Sequence, residues 1–171
     1  MNLREEILAE CSKEQWKKLS DWIGKDEARF ADLMDLFFAG EYRVSQRSAN
    51  VVAYCFDKHA FLLTPYLSKM VDYLENPPHV SVTRNTVRIL QNVDLPQELI
   101  GKAANLCFDF LAKHETPIAI KAFSMTILAN ICVQEPDLKN ELILLIEEQM
   151  PYGSAGFKSR GRKTLEKLRK L

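Results

Sequence analysis

The chain writes nearly the same segment three times at a fixed interval. VSVTRNTVRIL at 80–90 lies without gaps over RVSQRSANVVA at 43–53 and over PIAIKAFSMTI at 117–127, a step of 37 residues. Self-similarity at a period of about 20–50 residues marks stacked supersecondary units. A single unit cannot bury both of its apolar faces, so each neighbour covers the face that the last one left open. With this period Arg47, Arg84, Lys121 and Lys158 fall in register. Each has an apolar residue within three positions before it: Val44, Val82, Ile120 and Phe157.

Each unit reads as a pair of helices. Ser12 with Gln15 three residues on forms a capping-box pattern ahead of 13–23, and Gly24 stands where a left-handed cap would end that helix. Phe30, Leu33, Met34, Phe37 and Phe38 make one apolar stripe on 27–39. A helix over about 41–58 turns Val44, Val51, Val52, Tyr54, Cys55 and Phe56 largely inward. Thr64-Pro65 predicts a cap and a first-turn proline for the next helix, which Asn76-Pro77-Pro78 ends. The same punctuation opens helices over 95–113, 117–133 and 137–149, and Pro151, Gly153 and Gly156 break the chain before a last helix near 157–170. NPPHVSVT is the only stretch that reads as a strand, and its VSV runs straight into a helical pattern. The expected fold is all-α, with the glycines ending helices or interrupting 151–161.

At 171 residues, 47% hydrophobic and 27% charged, the chain can bury a sizeable core and is too apolar for disorder. It is expected to form one domain over 1–171: atypical helices over 1–40, repeats over 41–157 and a basic capping helix over 158–171. Each repeat offers large apolar side chains worth roughly 1.5–3 kcal/mol apiece on burial, opposed by ordering entropy. LILLI at 142–146 is far too short to cross a membrane, and MNLREEILAECSKEQW has no continuous apolar stretch of a signal peptide. A cytoplasmic location without a membrane partner is the expectation.

Residue types needed for chemistry are present but scattered. His59, His79 and His114 each stand alone, outside any metal-ligand spacing. Cys11, Cys55, Cys107 and Cys132 form no C-x-x-C and read as small buried hydrophobes. No phosphate loop, dinucleotide fingerprint or nucleophile elbow occurs. The expectation is therefore no catalytic residue, no metal and no cofactor. Trp16 and Trp22, six residues apart, lie about 240° apart on a helix, so they do not both face the core. The preferred reading is packing at the edge of the N-terminal cap, and the other is exposure of one to a partner.

Zero net charge hides an asymmetry, because 158–171 carries seven basic residues against the single Glu166. This tail supports two main readings. Leu165, Leu168 and Leu171 make it a cap whose charge answers the acidic body. Alternatively, Lys158, Arg160, Arg162, Lys163 and Lys167 contact phosphate or an acidic partner near a helix N-terminus.

VSQRSANVVA at 44–53 resembles the first helix of a HEAT repeat, a basic residue followed by an apolar ladder. VTRNTVRIL at 82–90 and IKAFSMTILA at 120–129 echo it, so the resemblance to HEAT-like, armadillo-type proteins spans about 41–171. The Trp, Leu-Gly and Tyr signature of tetratricopeptide repeats does not occur in phase. The resemblance implies a right-handed α-solenoid of about four helix pairs plus a C-terminal capping helix. It implies a ladder in which Arg47, Arg84, Lys121 and Lys158 bond to neighbouring repeats or to helix-end carbonyls. It also implies a concave face of second helices carrying Tyr66, Tyr73, Phe108 and Phe110. The implied function is a non-catalytic scaffold for a protein partner, monomeric or weakly dimeric. The alternative is nucleic-acid binding, in a protein related in fold to alkylpurine DNA glycosylases.

Overall fold

A computed structural model describes residues 1–171: ten α-helices and three 3₁₀ segments, with no strand. Val80–Thr83 of the strand-like stretch belong to a helix. The chain forms two compact units, Met1–Ile89 and Leu90–Leu171.

In the first unit, α1 (Leu3–Ala9) and α2 (Lys13–Ile23) both pack on α4 (Tyr42–Lys58), as does α3 (Glu27–Phe38). α1 is absent from the sequence-based expectation: seven residues give too few turns for a clear stripe. The Ser12 hydroxyl accepts from the Gln15 amide at 3.1 Å, half of the expected box. The Gln15 side chain instead donates to the Glu6 carbonyl at 2.8 Å, tying α2 to α1. Gly24 ends α2 at φ 54°, a conformation that a Cβ strains, with its N–H on the Ser20 carbonyl at 2.9 Å. Phe30, Leu33, Met34 and Phe37 are buried as the stripe predicts, and Phe38 is half-buried.

The expected helix start at Pro65 is displaced. Ala60–Tyr66 winds as a 3₁₀ segment that contains Pro65, and α5 begins two residues later (Leu67–Tyr73). The tighter winding starts with the Leu62 amide on the His59 carbonyl at 3.1 Å and buries Leu62 and Leu63. α6 (Val80–Leu90) follows, with His79 Nδ1 accepting from the Ser81 amide at 2.9 Å in the manner of a cap.

In the second unit, α7 (Gln97–Ala112) and α10 (Ala155–Arg169) pack on α8 (Ile118–Ile131), while α9 (Lys139–Gln149) contacts α7, α8 and α10. Pro96 and Pro117 stand immediately before α7 and α8. Pro136 and Pro151 sit in short 3₁₀ segments on either side of α9. α10 starts earlier than expected because the Ser154 hydroxyl caps the Phe157 amide at 3.2 Å. Gly101 lies inside α7, and Gly156 and Gly161 lie inside α10, so these three do not end or interrupt helices. Gly161 is buried, and a Cβ there would stand 2.7 Å from Met150 Sδ and 3.3 Å from Ile146 Cγ2. Close packing of α10 on α9 is what requires it.

The repeat is real, but its step is not uniform. α4, α6, α8 and α10 begin at residues 42, 80, 118 and 155, steps of 38, 38 and 37. Counting from each start, Arg47 corresponds to Asn85, Phe123 and Arg160. The next position is occupied by Ser48, Thr86, Ser124 and Gly161, small residues that are all buried. Within each unit, side-chain bonds recur at one repeat's separation: Arg4 to Glu41 and Lys58 to Asp21 in the first, Gln149 to the Leu111 carbonyl and Lys167 to Asn130 in the second.

Candidate functional site

The four residues of the expected ladder take four different positions. Arg47 Nη1 donates to the Leu8 and Ile7 carbonyls, at 2.6 and 3.3 Å, and so closes the C-terminal end of α1. Arg84 is exposed. Lys121 is buried and donates to Gln149 Oε1 at 2.7 Å. Lys158 is half-buried at the start of α10. The cause is the 38-residue step: a uniform count of 37 slips by one residue at α6 and by two at α8 and α10, and each residue turns a side chain by about 100°. In the corrected register Asn85 donates to Asn50 Oδ1 at 3.4 Å and to the Ser81 carbonyl at 2.9 Å. We expect Arg47→Ala to lower stability by about 1–2 kcal/mol, because carbonyls at a helix end lose a charged donor. Arg84→Ala should fall within about 0.5 kcal/mol of the parent, as an exposed substitution does. Urea unfolding followed by circular dichroism compares the two.

The basic tail divides in the same way. Arg160 Nη1 donates to Thr126 Oγ1 at 2.8 Å, to Gln91 Oε1 at 3.1 Å and to the Ala122 carbonyl at 3.3 Å. Its guanidinium also lies 5.8 Å from the centre of the Phe123 ring. Lys167 donates to Asn130 Oδ1 at 2.6 Å. Arg162 and Lys163 are exposed. Phe157, Leu165 and Leu168 are buried on the other side of α10, whereas Leu171 is half in solvent at 52%.

The aromatic residues also separate. Tyr66 packs edge-on against Phe30, and burial, with Asp35 and Glu27 nearby, raises the pKa of its hydroxyl. Tyr73 sits edge-on to Phe37 and Phe38, and its hydroxyl lies 3.4 Å from Ser45 Oγ. Both Tyr66 and Tyr73 therefore contribute to core packing in the first unit. In the second, Phe108 and Phe110 are both half-buried on α7. Neither tryptophan is free of the fold. Trp16 is edge-on to Tyr54, and the Arg29 guanidinium covers Trp22 at 4.4 Å.

Phe108 lines a groove of about 780 Å³ between α7 and the 135–141 segment. Ile100, Ala104 and Leu138 complete its apolar surface. Asp109, Glu135, Asp137 and Glu141 supply four carboxylates, with no basic residue in the lining. Gln97 Nε2 reaches Glu135 Oε1 at 3.3 Å across it. The charge is the informative part.

All four cysteines are free thiols. Cys55, Cys107 and Cys132 are buried as expected, and burial pushes the first two thiols up to about 12. Cys11 is exposed, against the expectation, because it lies in the break between α1 and α2. No group of three or more His, Cys, Asp or Glu side chains is placed to hold a metal ion. No helix is long and apolar enough to cross a membrane.

The family model described as "HEAT repeat domain" matches residues 3–168. No curated protein and no solved structure gives a match. The matched span extends the resemblance through α1–α3, consistent with all three packing on α4. HEAT repeats generally mediate protein interactions, and the family is generally non-catalytic. With nearly the whole chain matched and its helices recurring every 37 or 38 residues, this protein belongs to the HEAT repeat domain family.

Proposed function

We propose that this protein is a non-catalytic interaction scaffold, and that the α7 groove docks a basic, partly apolar segment of a protein partner. The observation that carries this reading is the composition of the groove: four carboxylates around an apolar floor that includes Phe108, with no Lys, Arg or His in the lining. Such a surface favours Lys or Arg flanking an apolar anchor, and its charge sets orientation and encounter rate. The nucleic-acid alternative is less well supported, because a phosphate backbone would be repelled by the groove. Two of the tail's cations, Arg160 and Lys167, are also already hydrogen-bonded within the second unit.

The test is a capture from native extract with the parent, a Glu135→Lys/Glu141→Lys variant and an Arg162→Glu/Lys163→Glu variant. A partner bound by the parent should be lost from the first variant and kept by the second. Measured with the recovered partner, the loss should be about tenfold or more in Kd, equivalent to roughly 1.4 kcal/mol. Loss from the tail variant alone, or duplex DNA binding that weakens steeply with salt, would overturn the reading.

A further inference from the structure

A second cavity, of about 320 Å³, lies beside the 114–116 turn and the connection from α9 to α10, and includes Lys121 and Gln149 in its lining. Lys121 is 7% exposed, yet its ammonium has a single hydrogen-bond partner, the neutral Gln149 amide at 2.7 Å. An ammonium carries three donors, so two of them lack protein acceptors. No carboxylate pairs with it directly. Burial lowers its pKa, and Glu115 opposes that shift only through space. A buried cation without a counter-charge is costly, and an anion that enters the cavity offsets that cost.

The rest of the lining narrows the anion. Thr116 and Ser154 present hydroxyls, and the Ser154 oxygen already accepts from the Phe157 amide, leaving its O–H to donate. Ile118 and Tyr152, large apolar side chains exposed by 47% and 90%, stand on the wall with buried Phe157. One ammonium with two hydroxyls, beside the His114 imidazole that also lines the cavity, matches a singly charged anionic group. The apolar wall asks for a hydrocarbon body attached to it. The volume is at the small end of ordinary ligand sites.

We propose that this cavity binds a small organic carboxylate, with its anionic group on the Lys121 ammonium and its apolar body against Ile118, Tyr152 and Phe157. This inference is independent of the docking groove, whose variants leave the cavity intact. Titration calorimetry on the full chain with benzoate, benzamide and inorganic phosphate tests it. A ligand of benzoate's size should bind with a Kd on the order of a millimolar or tighter. Benzamide and phosphate should bind at least about tenfold more weakly, and Lys121→Met should weaken benzoate by about tenfold or more. Equal binding of benzoate and benzamide, preference for phosphate, or unchanged affinity in Lys121→Met would overturn the proposal. If Lys121→Met fails to fold, amide chemical shifts of the parent decide. Benzoate-induced changes confined to 114–121 and 149–157 support the site, and changes elsewhere or none overturn it.

Discussion

Phe37→Ala should lower the free energy of unfolding by about 3–5 kcal/mol, the range for deleting a buried aromatic ring. Phe37 is 1% exposed, and its ring lies 4.9 Å from that of Phe38 and 5.4 Å from that of Tyr73. Truncation removes the buried ring and leaves both neighbours facing a void. Relaxation is limited because Leu33 and Met34, also fully buried, hold the same face of α3. Phe61→Ala provides the control, since Phe61 is 51% exposed and should cost under about 1 kcal/mol. Denaturant unfolding followed by circular dichroism measures both. Equal costs for the two would mean that the α3 stripe is not the core of the first unit.

Arg160→Met should cost about 2–3 kcal/mol, while Arg162→Met, two residues away, should change stability by less than about 0.5 kcal/mol. Methionine keeps much of the aliphatic stem, so the difference isolates the guanidinium. Arg160 alone binds a glutamine carbonyl, a threonine hydroxyl and the Ala122 main-chain carbonyl. Deleting it leaves three part-buried acceptors without that donor. Arg162 faces solvent. If the tail were chiefly a phosphate-binding element, the two substitutions would be expected to affect stability alike and differ only in binding.

The helices were legible because punctuation and stripes are local. Ser12, Gly24, Asp26 and the prolines before α7 and α8 act on the residues beside them, and Phe30 to Phe37 announce a helical face by spacing alone. The 37-residue repeat was legible for the same reason. Its angular phase was not, because a gap-free overlay conserves the count and cannot show that α6 and α8 each start one residue later than it requires. That single residue separates Arg84, in solvent, from Asn85, which bonds to the preceding helix of its row. The accumulated slip, two residues by α10, also concealed Arg160 as the counterpart of Arg47. The acidic groove and the Lys121 cavity are assembled from segments far apart in sequence, such as Lys121 with Gln149, 28 residues on, and Gly101 with Glu141, 40 residues on. No local pattern announces such a meeting.

Ser48, Thr86, Ser124 and Gly161 recur at one position of alternate helices, each buried and each small. A helix that packs through such a slender position tolerates a narrow range of azimuth. Length changes are therefore quantised in this protein. Gain or loss of a complete module keeps every slender side where it belongs, whereas one added residue near the middle of α4 would swing a bulky side chain into its place.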